Sequence, residues 1–349
     1  MSRSSSLTTV SDDHPMRLVT KNRAGAIAVL AVLTLAATAK LTAAAGTRPA
    51  RHKSSIVFMR QTLLSGGDAN CQALFAIRPN GTNPHRLSQC GSPPSVSWST
   101  SPSWSPDGKR IAFARCPPNL FKAISVPGCY ELYVMNADGS HLRRLTHNRV
   151  DDDHPSWSPD GKRLAFTRGP TGPADLWIIK ADGSQPHRLT KDRLIEANPV
   201  WSPAGGLIAF MQFHGANDRR VSVSVIRPDG TRRRDWIAIE YAAGGNFQQQ
   251  VLYGGPTWSP DGRGLALTVR GGLEIVTPAG RLVHVYAVGG SDGRGFHPSW
   301  SPDGRSIAFV RFDDPRSVSG SLHVLTLPSG AVRPLTSATF PMDDEQPDW

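Results

Sequence analysis

Beyond residue 46 the apolar positions never settle into a helical period. They come in short runs separated by Pro, Asp, Gly and Ser, which is the pattern of short strands joined by tight turns. The stretch 153–190 shows the physics of one unit. Pro155 pushes its preceding residue toward extended geometry, so 154–158 reads as a first strand. Ser158-Pro159-Asp160-Gly161 follows: Pro fixes φ, Asp bonds its own backbone and Gly accepts a positive φ. Residues 164–168 and 175–180 supply a second and a third strand. Ala181-Asp182-Gly183-Ser184 makes another tight turn, and 187–190 a fourth strand. Hairpins joining four such strands give one antiparallel sheet.

The unit repeats. A phrase built as Pro-Ser-Trp-Ser-Pro-Asp-Gly-Lys-Arg-Ile-Ala-Phe recurs around Trp104, Trp157, Trp201, Trp258 and Trp300, and a truncated copy ends at Trp349. The spacings between these Trp are 53, 44, 57, 42 and 49 residues. Several short strands per unit at this period imply a β-propeller. The third-strand signal recurs too, at 132–139, 223–230, 273–280 and 322–330. The repeat region opens mid-phrase: 55–60 matches a second strand, 74–81 a third and 85–88 a fourth. The missing first strand is supplied by 346–349 at the other end of the chain. The expected fold is therefore all-β: a six-bladed β-propeller closed by pairing of the C-terminal strand with the N-terminal blade. Closure removes sheet edges that would otherwise aggregate.

Trp157-Ser-Pro-Asp-Gly-Lys, with Tyr133-Val-Met-Asn-Ala-Asp-Gly-Ser140 and Arg143-Arg144-Leu145-Thr146, resembles the TolB-like, WD40-like propeller repeat over about 55–349. The resemblance implies the propeller fold and is weakly specific for function. The translocation protein of that family carries an α/β domain ahead of its propeller, where this chain has residues 46–54.

Residues 1–45 read as a separate segment. Arg17, Lys21 and Arg23 precede an apolar run over 24–39, and Ala43-Ala44-Ala45-Gly46 follows it. That is a secretory signal peptide, or else an uncleaved membrane anchor, followed by a linker over 46–54 and the propeller over 55–349. Lys40 interrupts the run, which is short for a membrane span. Export places the chain in a periplasmic, extracytoplasmic or secreted setting, where disulfides form. Cys71 and Cys90 flank the turn at Asn80-Gly81, and Cys116 and Cys129 bracket one loop. The expected disulfides are 71–90 and 116–129, among three possible connectivities.

The formal charge is +11, and +8 without residues 1–45. Lys109, Arg110, Lys162, Arg163, Arg263 and Arg305 recur after the Asp-Gly turns, and Arg232 to Arg234 crowd one turn. Repetition sets such residues in rings, giving either a solubilising surface or a belt for an anionic polymer. No interleaved aromatics accompany them, which argues against nucleic acid.

In a four-stranded unit, turns after strands one and three share one face. The longer loops, at 61–70, 116–129, 169–174, 213–220 and 312–321, share the other, where function usually resides. The third residue before each Trp lines the channel entrance there: Ser101, His154, Asn198, Gly255, His297 and Gln346. Just before them lie acids, among them Asp152, Asp153, Glu196, Asp344 and Glu345. If Trp157 faces Leu164, Asp153 faces Arg168, and by closure Glu345 faces Arg60, giving structural ion pairs. Asp152, Glu196 and Asp344 are then left to dock a partner, with His154, Asn198, His297 and Gln346 lining the mouth. His154 and His297 fall on opposite sides of the axis, so neither a metal nor another cofactor is expected. Gly289-Gly-Ser291-Asp-Gly293 matches a hydrolase motif, but it sits in a polar loop without the strand-to-helix elbow the chemistry needs.

The expected function is an exported, non-enzymatic scaffold for a protein or peptide partner in the cell envelope, touching membrane only through an uncleaved N-terminal segment. Two alternatives are a binder of anionic cell-wall or extracellular polysaccharide, and a channel-mouth enzyme of the propeller lyase or glycan-acting type. The fold by itself does not choose among them.

Overall fold

The computed structural model describes Leu18–Val19 and residues 55–349, apart from 64–69, 91–96, 118–127, 170–173, 193, 215–219, 241–253, 270–271, 289–294, 313–319 and 338–342. The N-terminal segment 1–45 (Leu18–Val19 excepted), the linker up to residue 54, much of each long loop and the Gly289–Gly293 motif therefore lie outside the described residues. The fold is an all-β propeller. In one unit Asp152–Trp157, Arg163–Arg168, Asp175–Lys180 and His187–Arg188 form a four-stranded antiparallel sheet in chain order. Sequence and turn chemistry agree on its first hairpin. Ser158 Oγ donates to Asp160 Oδ1 at 2.6 Å and accepts from Arg163 N at 2.9 Å, while Gly161 takes a φ of 66°. The same hydroxyl–carboxylate pair recurs at Ser105–Asp107, Ser259–Asp261 and Ser301–Asp303, each at 2.6 Å.

The main cores among the described residues lie between consecutive four-stranded units. Val57, Met59 and Leu74 pack against Trp104, Ile111 and Phe113. Leu132 and Val134 pack against Trp157, Leu164 and Phe166. The Phe that ends the repeated phrase fills these cores: Phe58, Phe113, Phe166, Phe210 and Phe309 are at most 1 % exposed. Removing such a ring costs about 3–5 kcal/mol in comparable cores. Polar contacts reinforce the stacking. Trp157 Nε1 donates to the Ser103 carbonyl of the preceding sheet at 3.1 Å, and the Arg110 guanidinium of that sheet lies 4.5 Å from the Trp157 ring centre. One step on, Arg163 covers Trp201 at 4.9 Å.

The two ends of the repeat region meet. Asp343–Asp348 runs antiparallel to Ile56–Leu63, with Val57 opposite Asp348 and Arg60 opposite Asp344. One apolar cluster joins Ile56, Phe58 and Ile77 to Ala308, Val310, Leu322 and Trp349. Asp348 ties both neighbours: its carboxylate accepts from Trp104 N at 2.6 Å and from Ser299 Oγ at 3.2 Å.

Two features depart from the sequence reading. Instead of six separate sheets, the described strands form five, one of them eight-stranded. Its halves are fused by a parallel bridge between Gln72 and Trp98. The fourth strand of the first unit, His85–Arg86, pairs only with Phe75 and Ala76, which leaves the Gln72 end of Asn70–Ile77 open to Trp98. The Cys71–Cys90 disulfide holds the connection there, and Ser97 N donates to Cys90 O at 2.7 Å. The second disulfide joins Cys116 to Cys129, so both expected pairings are present. The other departure is at the N-terminus, which the sequence reading kept apart from the fold. Leu18–Val19 pairs with Ile239 and Ala238 on the outer strand Arg234–Glu240, whose edge carries open backbone donors and acceptors. Among the described residues no helix is long and apolar enough to cross a membrane.

Because Asp348 satisfies one backbone and one side-chain donor from two sheets, Asp348→Ala should lower unfolding stability by about 1–3 kcal/mol. Urea denaturation followed by tryptophan fluorescence reads this directly; an unchanged midpoint would mean that the end-to-end seam carries little of the stability.

Candidate functional site

The repeated X-Pro step does something the sequence alone does not foretell. Four of its X residues, Ser101, His154, Asn198 and His297, together with Gln346, take φ between 50° and 53°, in the left-handed region. Extended geometry before Pro was the expectation for them. Instead a β-bulge sits here in each strand: the register slips between Thr100 and Ser103, between Ala197 and Val200, and between Phe296 and Ser299. Left-handed φ costs a non-glycine residue of order 1–3 kcal/mol, so the surrounding ladder must hold each one in place. None of the five is β-branched, which keeps that cost down.

The bulges line a central cavity of about 140 Å³, walled by Ser101, His154, Asn198, Gly255, His297 and Gln346 and their following prolines. The sixth position is Gly255 for a steric reason: a Cβ there would lie 2.5 Å from Asn198 Cβ. Gln346 is anchored, its Oε1 accepting from Thr100 Oγ1 at 2.5 Å and from Ser101 N at 2.6 Å. His154 N donates to Asp153 Oδ1 at 2.7 Å, and its Nδ1 lies 3.7 Å from Asp153 Oδ2. Three polar atoms in this ring have no protein partner: Ser101 Oγ, Asn198 Nδ2 and His297 Nε2. Burial pushes the His297 imidazole down to about 3, with the charge of nearby His154 adding to the effect. At neutral pH His297 therefore offers one donor and one acceptor rather than a cation. The structure thus brings together the four predicted mouth residues His154, Asn198, His297 and Gln346.

The acids behave otherwise. The bulge at His154 shifts register by one, so Asp152, not Asp153, stands opposite Arg168. Arg168 grips it with two bonds, Nε to Oδ1 at 2.6 Å and Nη2 to Oδ2 at 2.8 Å. Asp153 turns to His154 instead. The same slip puts Asp344, not Glu345, opposite Arg60. The side chains of Asp344 and Glu345 lie outside the described residues. Arg60 lies over the Phe58 and Phe75 rings at 5.2 and 5.0 Å. Asp152 and Glu196 are both 0 % exposed and cannot dock a partner as expected. Asn148 Nδ2 also donates to Asp152, at 2.7 Å. Glu196 is held by Thr190 Oγ1, by Leu176 N at 3.3 Å and by Arg233 at 2.7 Å. Burial raises the Asp152 carboxyl above its usual range despite Arg168 and lifts Glu196 to about 7.

Sequence reasoning passed over Asp348 and Arg233. Asp348 was legible as the one acid at a position otherwise held by Ser103, Ser156, Val200, Thr257 and Ser299. Arg233 was grouped with a basic turn, because nothing in its neighbours signals a reach to Glu196.

With this geometry in view, the comparisons fall into place. Residues 97–235 match the family described as TolB beta propeller domain. That stretch carries the TolB-like propeller repeat. The crystal structure of TolB from Acinetobacter baumannii superposes with a TM-score of 0.63 at 19 % identity, covering 86 % of this chain and 67 % of that one. The uncharacterized peptidase YuxL of Bacillus subtilis is 35 % identical over 69 residues, 20 % of this chain and 9 % of its own length. The uncharacterized protein Atu1656 of Agrobacterium fabrum is 33 % identical over 69 residues, again 20 % of this chain and 20 % of its own length. The matched part thus spans a small fraction of both curated relatives.

The buried Glu196 generates a pH signature. Its folded pKa, about 7, lies above the ordinary 4.5. The folded state therefore binds more protons in that window, and this contribution to stability is complete below it and lost as pH rises through it. Stability measured by urea unfolding at about pH 5 and about pH 8 should fall with rising pH more steeply in the native chain than in Glu196→Gln. Identical slopes would show that Glu196 is ionised throughout.

Proposed function

We propose that this protein is a non-enzymatic binding module for a protein or peptide segment, acting outside the cytosol through the mouth of its central cavity. The observation that carries the reading is the ring of unpartnered polar atoms, Ser101 Oγ, Asn198 Nδ2 and His297 Nε2, set on strained backbone beside the cavity. Buried polar atoms without partners are rare in folded proteins and call for an account of what satisfies them. An extended peptide presents alternating donors and acceptors and can satisfy both the Asn198 amide and the neutral His297. Asp152 and Glu196 take no part in docking, since both are internal ion-pair acids.

The architecture that supports this reading is a ring of six blades, with the eight-stranded sheet counted as two. A single bridged residue pair joins its halves, and each half has its own four strands. Residues 55–349 form this ring, and 1–45 act as the export signal or anchor. Two disulfides favour an oxidising compartment. The Bacillus relative is named a peptidase, but the matched stretch is 9 % of that protein, too little to carry its activity to this chain.

The test is site-specific photo-crosslinking in an envelope extract, with the probe at Gln346 in one preparation and at Lys109 on the opposite face in another. The expected result is a discrete protein adduct from Gln346 alone, lost when Asn198→Ala and His297→Ala are combined. Adducts from both positions, or adducts that survive the double substitution, would overturn the cavity as the binding site.

A further inference from the structure

A second concave site lies on the other face, among the short Asp-Gly turns. The repeated phrase breaks at its third full copy: Trp201-Ser-Pro-Ala204-Gly-Gly206-Leu207 replaces Asp, Lys and Arg. The position held by Arg110 and Arg163, whose guanidiniums cover Trp157 and Trp201, is Leu207 here. The next Trp, Trp258, is met by the edge of Trp236 instead, with ring centres 5.4 Å apart at 74°. A pocket of about 480 Å³ opens beside them, within the range of small-ligand sites. Its wall includes Leu207, Trp236 and Trp258, and three arginines, Arg227, Arg232 and Arg234. One carboxylate, Asp261, also lines it, and that group is already engaged by Ser259 Oγ and Arg263 N. Among the described residues none of the three guanidiniums is held in an ion pair. Arg234 rests over Trp236 at 5.7 Å, and Asp229 at the tip of the turn is bonded to Thr231. Trp236 Nε1 is buried and has no partner.

We infer that this pocket binds a uronic acid residue of an acidic polysaccharide. The indole and leucine surfaces suit the apolar face of a pyranose ring. Guanidiniums match a carboxylate with paired hydrogen bonds. Lys109, Lys162, Arg263 and Arg305 are exposed on the same turn face, each immediately after a turn glycine. They give a chain of successive carboxylates further contacts around the ring, which a single small acid would not use. This site shares no residue with the cavity mouth, so it goes beyond the proposed peptide role and stands or falls apart from it.

The probe is a purified glucuronate oligomer of about four sugar residues, titrated by calorimetry against the full chain beside a neutral gluco-oligosaccharide and a simple aryl carboxylate. The glucuronate oligomer alone should bind, and more weakly at high salt. Leu207→Arg, which restores the residue the repeat carries elsewhere, should weaken binding about tenfold or more while unfolding stays unchanged; Arg234→Gln should do the same. No binding, equal binding of the neutral sugar, preference for the aryl acid, or full affinity in a folded Leu207→Arg chain would each overturn the assignment.

Discussion

Everything in this propeller hangs on a backbone irregularity three residues ahead of the repeated tryptophans. A bulge there puts Ser101, His154, Asn198, His297 and Gln346 into left-handed geometry. It spoils the ladder locally, yet the flanking pairs are kept: Trp157 still stands opposite Leu164, and Trp201 opposite Ile208. The strand can therefore bury its Trp in the inter-sheet core while presenting a polar side chain to the axis. Without the bulge, period-two alternation would carry the same register from end to end. The strain is local and is repaid by packing on either side.

The bulge also decides which acids are structural. By moving the partner of Arg168 from Asp153 to Asp152, it sends one carboxylate inside and leaves the next beside His154. A buried ion pair of this kind is weak evidence of net stability, since desolvation offsets much of the attraction. What it does supply is a penalty for wrong register: a slipped strand would leave Arg168 or Asp152 unpaired in the interior.

Much of the architecture was legible because its causes are local. The Ser-Pro-Asp-Gly turns carry their own hydrogen bonds, and the Trp and Phe positions recur in phase with them. The two disulfides were legible because each pair brackets one hairpin or loop. The mouth residues His154, Asn198, His297 and Gln346 were found by phase alone. What stayed hidden depended on contacts between distant segments. A one-residue slip is invisible to simple counting from Trp157. The burial of Glu196 depends on Arg233, which reaches it from the turn ahead of Arg234–Glu240. The fusion of two sheets at Gln72 and Trp98 follows from the length of Asn70–Ile77, which runs well past its partner His85–Arg86. The pocket beside Trp258 was written in the sequence as Leu207 in place of Arg, but its meaning required knowing that Arg110 and Arg163 cover the indole of the following sheet.

The seam between Asp343–Asp348 and Ile56–Leu63 has a consequence for how the protein is made. A ribosome releases Ile56–Leu63 long before its partner strand Asp343–Asp348. Until then, the first sheet offers an open edge and the inner face of Phe58 lacks Trp349. Each growing chain thus carries an adhesive border until that strand emerges, a hazard for neighbours on the same message. Holding the chain unfolded until Asp343–Asp348 has emerged, whether by a chaperone or by threading across a membrane, removes that hazard.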